Sequence, residues 1–215
     1  MKIIAINGSP RKNWNTATLL NKSLEGAASN GAETELINLY DLKYSGCISC
    51  FACKRKNVEH GKCAIKDDLT PILEKLKTAD AVILGSPIYY MNITAGMTAL
   101  LERFLFSNSI YSDEIPTVYP KKIPVGFIYT MNATEEQIDQ FGVKQSFTLR
   151  ENMIARTTGN PLESLYSYNT YQFTDYDKYE ASKFSEKEKA KHKAEQFPVN
   201  CQKAFDMGVT LVTNA

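Results

Sequence analysis

The sequence contains no G-x-x-x-x-G-K-[ST], so it lacks the loop with which NTPases hold a triphosphate and its metal. It contains no G-x-G-x-x-G either, which removes the dinucleotide fingerprint. It has no excess charge of one sign: 25 Lys and Arg face 24 Asp and Glu, a net charge of +1. No nucleic-acid or acidic partner is implied by such a balance. No apolar run approaches membrane-spanning length, and the first residues read directly as a strand. Neither a signal peptide nor an anchor is therefore expected, and the expected location is the cytosol. There is no internal repeat. Cysteine is scarce, with 5 in all, but Cys47, Cys50, Cys53 and Cys63 are grouped. In a cytosolic chain such a group points to metal or redox chemistry more than to structural disulfides.

What is present is an alternation of strand and helix. The chain has 215 residues, 43% of them hydrophobic, enough for one domain with a sizeable core. Strand patterns lie near residues 2–6, 34–39, 81–84, 123–129 and, more weakly, 162–168. Helical patterns lie between them, near 16–29, 69–77 and 95–106, and from Thr134 to about Met153. A long insertion runs over about 40–66. A charged helical extension covers about 185–213, and Pro198 is expected to break or kink it. Strands alternating with helices imply a parallel sheet covered on both faces. Five strands suit a flavodoxin-like, doubly wound α/β sheet of order 2-1-3-4-5, as a single domain over residues 1–215. Such sheets bind ligands outside the strand carboxyl ends, at the switch point between strands one and three.

The loop after the first strand is Asn7-Gly8-Ser9-Pro10-Arg11-Lys12-Asn13-Trp14-Asn15-Thr16. It is rich in hydroxyls and amides and opens a helix. Free N–H groups and the helix dipole at that point favour an anion. Ser9 and Thr16 add hydroxyl donors, Asn13 and Asn15 amide donors, and Arg11 a charge-assisted pair. A phosphate held this way, with no metal-ligating Lys-Ser/Thr pair, suits a phosphomonoester such as that of FMN. The plain alternative is an ordinary strand–turn–helix. The loop after strand three, Gly85 to Met97, carries Pro87, which is expected to keep the chain out of the sheet. Tyr89 and Tyr90 there offer flat faces for an isoalloxazine, and Asn92 and Thr94 offer polar groups for its pyrimidine edge. Packing of both tyrosines beneath a surface loop is the alternative. Thr130-Met131-Asn132, after strand four, is a third loop on the same edge.

Cys47-Ile48-Ser49-Cys50-Phe51-Ala52-Cys53 is a C-x2-C-x2-C run, with Cys63 beyond it. Three readings fit it. The thiols can fold around one [4Fe–4S] cube with Cys63 as the remote ligand. Cys50, Cys53, His60 and Cys63 can supply a zinc tetrahedron. Or the thiols are unligated. Cys201 reads as a small core residue and His192 as solvent-facing.

Four ordered segments carry a resemblance. They are Gly8-Ser9-Pro10-Arg11-Lys12-Asn13 with Asn15-Thr16; the cysteine loop ending Gly61-Lys62-Cys63-Ala64-Ile65-Lys66-Asp67-Asp68; Ala79-Asp80 with Gly85-Ser86-Pro87-Ile88-Tyr89; and Gly96-Met97 with Leu101-Glu102-Arg103. Together they resemble the NAD(P)H-dependent FMN reductase and iron–sulfur flavoprotein group of the flavodoxin-like superfamily, over about residues 1–105. The resemblance implies phosphate contacts from Ser9, Arg11, Asn15 and Thr16. It implies ring contacts from Pro87, Ile88, Tyr89 and Tyr90, and cluster ligands Cys47, Cys50, Cys53 and Cys63. It further implies a homodimer or homotetramer. Trp14 stands where the family pattern usually has glycine, and the gap from Cys53 to Cys63 is longer than in compact cluster-binding members.

The expected activity is an FMN oxidoreductase that takes hydride from NAD(P)H. The acceptor is a quinone, a flavin, another small molecule, a redox partner protein or the cluster itself. The chemistry belongs to the cofactor, so no acid–base triad is expected. Two other classes remain open: a non-enzymatic flavodoxin-like electron carrier, and a metal or redox sensor built on the cysteine loop.

Overall fold

The computed structural model describes every residue except Pro116. Five strands form one parallel sheet: β1 (Lys2–Asn7), β2 (Glu33–Asn38), β3 (Ala81–Tyr89), β5 (Val125–Thr130) and β6 (Leu162–Ser167), in the order β2-β1-β3-β5-β6. The short β4 (Asn92–Ile93) lies off this path and pairs antiparallel with the end of β3. Without that hairpin strand, the order is the 2-1-3-4-5 winding expected from the sequence.

Period-two alternation sends each strand's apolar residues to two cores. Ile3 and Ala5 of β1 face α1 (Asn15–Ser29) and α6 (Glu186–Thr213). Ile4 and Ile6 face the other layer: α2 (Leu69–Thr78), α3 (Ala95–Asn108) and α5 (Val143–Thr158). The β1–β3 register aligns Asn7 with Gly85, so the loops after these strands leave the sheet side by side.

Three local expectations are corrected. β3 does not stop at Gly85; Pro87 lies in the strand, opposite Thr130 of β5. β1 has ended at Asn7, opposite Gly85, so on that side β3 is by then an edge, where proline is tolerated. The helix read from Thr134 to Met153 is two helices, α4 (Glu135–Gln140) and α5, divided at Gly142, whose φ is +65°. The expected N-cap is present: Thr134 and Gln137 form a capping box. Pro198 does not break α6, which continues through it. Ala194, whose carbonyl loses its helical partner, is exposed, so water can satisfy it.

α6 lies directly on α1 through two glycines. A Cβ on Gly208 would sit 1.8 Å from the Ser23 carbonyl oxygen, and one on Gly26 would sit 2.0 Å from that of Phe205. Both obstacles are backbone, which cannot rotate away. Gly208→Ala should therefore cost roughly 3 kcal/mol through helix separation. Gly31→Ala, at φ +81° with open space around it, should cost only about 1 kcal/mol of left-handed strain. Urea midpoints compared at constant slope test this; equal losses would mean that the α1–α6 contact is not tight.

Candidate functional site

Four loops meet at the carboxyl edge of the sheet. The first leaves β1. Gly8 N–H donates to the Gly85 carbonyl at 2.8 Å, and the Thr94 hydroxyl donates to the Gly8 carbonyl at 2.7 Å. A Cβ on Gly8 would lie 3.0 Å from both Gly85 O and Met97, so glycine is what lets the loop approach β3 this closely. Beyond it the Asn7 side chain accepts from Ser9 N–H at 3.0 Å, and the Ser9 hydroxyl accepts from Arg11 N–H at 3.1 Å. α1 then begins with Trp14 at its N-cap. Among the described residues no side chain caps it, and its first turn carries no acid. Its amides are left for another acceptor.

Around that helix end stand buried hydroxyls. Ser9, Thr16 and Thr130 are all nearly inaccessible, and Thr16 and Thr130 share a 2.7 Å hydrogen bond between the start of α1 and the end of β5. One cleft is lined by Ser9, Arg11, Trp14, Asn15 and Thr16 from the first loop, and by Pro87, Ile88 and Tyr89 from the end of β3. Thr130, Met131 and Asn132 after β5, and Thr170 to Phe173 after β6, complete it. Asn13 does not line it but faces a neighbouring cleft with Phe173 and Tyr179. Tyr90 is fully exposed at the hairpin tip. The Asn92 carboxamide is turned to α5, accepting from Arg150 Nη2 at 2.6 Å. Tyr90 and Met91 both have positive φ, a two-residue turn of the kind usually built from Asn-Gly. With these larger residues it holds about 1 kcal/mol of strain at each position.

The segment after β6 is the part of the cleft whose chemistry the sequence left unassigned. Its carbonyls take three donors of the first loop. Arg11 Nη1 reaches Gln172 O at 2.5 Å; Trp14 Nε1 and Asn15 Nδ2 reach Tyr171 O at 3.0 and 2.8 Å. Lys189 of α6 pins this segment from below. Its buried ammonium donates to the Asn132 carbonyl at 3.1 Å and to Asn169 Oδ1 at 2.9 Å. Burial pushes the Lys189 pKa down to about 8. The usable signal was position: a polar and aromatic run following the last strand must leave the same sheet edge.

The insertion forms a second pocket against α3. Cys47, Cys50, Cys53 and Cys63 all line it, with Phe51, Ile65, Arg103 and Phe106. Ser49 and Phe51 both have positive φ, which winds the chain around Cys50. Lys54 caps the end of α3 through the Phe106 and Ser109 carbonyls and lies 4.2 Å from the centre of the Phe106 ring. Burial pushes the Cys53 thiol up, against the pull of Lys54. Arg103, fully buried, ties both ends of the insertion. Its Nη1 pairs with Asp67 at 2.5 Å and reaches Ser45 O at 3.3 Å, while its Nη2 reaches Ile65 O at 3.3 Å. His60 is turned to the Cys53 carbonyl at 3.1 Å and does not line the pocket. Among the described residues no three His, Cys, Asp or Glu side chains converge as ligands of one metal ion. Cys201 is half-buried against the α1–α6 core, and His192 is half-buried rather than solvent-facing.

A family model described as NADPH-dependent FMN reductase matches residues 1–123. The chain belongs to the NADPH-dependent FMN reductase family. Its match therefore takes in the first loop, the cysteine insertion, β3 and α3. An iron–sulfur flavoprotein of Methanocaldococcus jannaschii is 46% identical over 103 residues, covering 48% of this chain and 51% of that protein. One from Archaeoglobus fulgidus is 41% identical over 103 residues, covering 48% of each. The chain spans about half the length of the curated relatives it matches. An NAD(P)H:quinone oxidoreductase from Methanothermobacter marburgensis superposes with a TM-score of 0.72 at 15% identity, over 98% of this chain and 96% of that one. An azoreductase from Bacillus anthracis superposes with a TM-score of 0.65 at 12% identity, over 98% and 99%. These two likenesses establish the flavodoxin-like fold of this family member. Among the described residues, no helix is long and apolar enough to cross a membrane.

Proposed function

We propose that this family member is an FMN-dependent oxidoreductase that takes hydride from NAD(P)H and delivers electrons through an iron–sulfur cluster in the cysteine pocket. The observation that carries the flavin reading is the uncapped start of α1 beside the buried hydroxyls of Ser9, Thr16 and Thr130. That donor set suits the terminal phosphate of FMN. Arg11 and Asn15 each keep further N–H groups beyond those given to Tyr171 and Gln172. Pro87, Ile88 and Tyr89 form the apolar side of the cleft on which the ring would lie.

When bound, the flavin supplies two-electron acceptance from a reduced nicotinamide and release in one- or two-electron steps. The chain's own residues orient and shield it. Thr16 and Thr130 hold the start of α1 and the end of β5 at a fixed separation, and Lys189 ties the post-β5 and post-β6 loops together at the phosphate end. The four thiols lining one pocket, with the cations Lys54 and Arg103 beside them, suit an anionic thiolate cluster. Thr94, which caps α3, is bonded to the phosphate loop. Arg103 stands about 14 Å further along the same helix, nine residues on at about 1.5 Å per residue. α3 therefore links the two pockets rigidly. The names of the iron–sulfur flavoprotein relatives support the cluster reading.

Heat-released cofactor should chromatograph as FMN; FAD as the main species would refute the phosphate site. Thr16→Ala and Ser9→Ala should each weaken FMN by roughly 1–2 kcal/mol, the worth of a hydrogen bond to a charged group. Titration of apoprotein with FMN measures this, and unchanged affinity in both variants would remove these hydroxyls from the site. NAD(P)H oxidation by the purified flavoprotein, with ferricyanide as acceptor and no protein partner, separates an enzyme from a passive carrier.

A further inference from the structure

Arg103 is more firmly built in than an ion pair with Asp67 requires. Its side chain has no solvent exposure, yet it sits against the pocket lined by all four thiols of the insertion. Two of its nitrogens are occupied: Nη1 by Asp67 and the Ser45 carbonyl, and Nη2 by the Ile65 carbonyl. Nε is different. It is buried and has no acceptor among the described residues. A buried N–H of a charged group left without an acceptor costs free energy that folded chains normally avoid. The other three acceptors hold the guanidinium plane in place, so its Nε–H cannot turn elsewhere. The pocket it borders is lined by the thiols of Cys47, Cys50, Cys53 and Cys63, none of which is hydrogen-bonded to Nε among the described residues.

We propose that Arg103 is a positioning and potential-setting residue, whose Nε–H donates a hydrogen bond to sulfur of a cluster held by the four thiols of its pocket. The role rests on the cluster reading above. A thiolate or sulfide is an acceptor of the kind Nε lacks, and its partial negative charge strengthens the bond. One electron entering the cluster adds one negative charge to it. A fixed N–H dipole and a guanidinium charge aimed at its sulfur stabilise that reduced state more than the oxidised one. Arg103 thereby raises the cluster's potential and eases electron flow out of the flavin. The same side chain gathers both ends of the insertion, at Ser45 and at Ile65, so the donor and the ligand loop move as one unit. A lysine could supply the charge but not the planar N–H at that place.

The experiment uses FMN-loaded protein reconstituted anaerobically with iron and sulfide. Wild type should bind both; if it binds neither, the cluster reading and the role of Arg103 fall together. With the cluster present, Arg103→Lys should retain iron and sulfide but show a lower cluster midpoint potential by EPR-monitored titration, with the flavin potential unchanged. Arg103→Gln, which loses the charge as well, should lie lower still. An Arg103→Lys potential equal to wild type would overturn the proposal while leaving the cluster in place. If neither variant folds, wild type labelled with nitrogen-15 arginine decides the matter. Pulsed EPR of its reduced cluster should show coupling to an arginine nitrogen, and absence of that coupling overturns the proposal.

Discussion

Cys50→Ala is expected to keep its flavin and lose nearly all of its iron and sulfide. Cys50 stands at the centre of the C-x2-C-x2-C run and is the exposed thiol of the four that line the insertion pocket. Its neighbours Ser49 and Phe51 are held in left-handed backbone conformations that wrap the chain around it. A cluster missing this ligand would present an iron to solvent at the open side of the pocket. Arg103 and Lys54 cannot replace a thiolate, because neither is a ligand in its charged form. Cys201→Ala, half-buried against the α1–α6 core, should retain full iron and sulfide and controls for general damage. Iron and sulfide assays on anaerobically reconstituted protein decide the outcome. Wild-type content in Cys50→Ala would remove this thiol from the ligand set. A wild type that shows only a flavin spectrum would leave an FMN reductase without a cluster.

Asp67→Asn should cost about 3 kcal/mol at neutral pH, most of it from a buried guanidinium left without its counter-ion. Asp67 is largely buried and lies 2.5 Å from Arg103, and it also accepts from the Leu69 and Ser45 amides at 3.1 and 3.4 Å. Burial works to raise its pKa, but the Arg103 hydrogen bond and charge outweigh it, so its carboxyl is held below 3.8. The folded pKa is thus lower than the unfolded one. The stability Asp67 contributes is complete above about pH 4 and is lost as pH falls through the lowered folded value. The gap between wild type and Asp67→Asn should accordingly be full at neutral pH and shrink in acid. Urea unfolding of both proteins across that range measures it. A gap unchanged by acid would assign the effect to the amide hydrogen bonds instead of the charge.

The strand order and the hydroxyl-rich start of α1 were legible for a simple reason: both rest on patterns local in sequence. Strands buried on both faces read as apolar runs, such as Ala81 to Leu84, and a hydroxyl-rich loop opening a helix is continuous over Ser9 to Thr16. The element ends were less legible where a neighbour decided them. Pro87 was expected to end β3, but the early end of β1 left room for it at the sheet edge. Pro198 was expected to break or kink the last helix; it does not break it, because exposure of Ala194 leaves the freed carbonyl open to water. Tyr90 and Asn92 belonged by sequence to the ring loop. The tight turn at Tyr90-Met91 instead turns the one to solvent and the other to Arg150.

By itself, then, the sequence determined the α/β winding, the hydroxyl-rich start of α1 and the grouping of thiols, because each is encoded by residues close together in the chain. Only the tertiary structure decided what surrounds them. It brought the Tyr171 and Gln172 carbonyls onto Arg11, Trp14 and Asn15, and set Lys189 beneath that segment. It also placed the unsatisfied Nε of Arg103 beside the four thiols. These contacts join residues far apart in sequence. Burial and close packing bring them about, and neither composition nor periodicity records them.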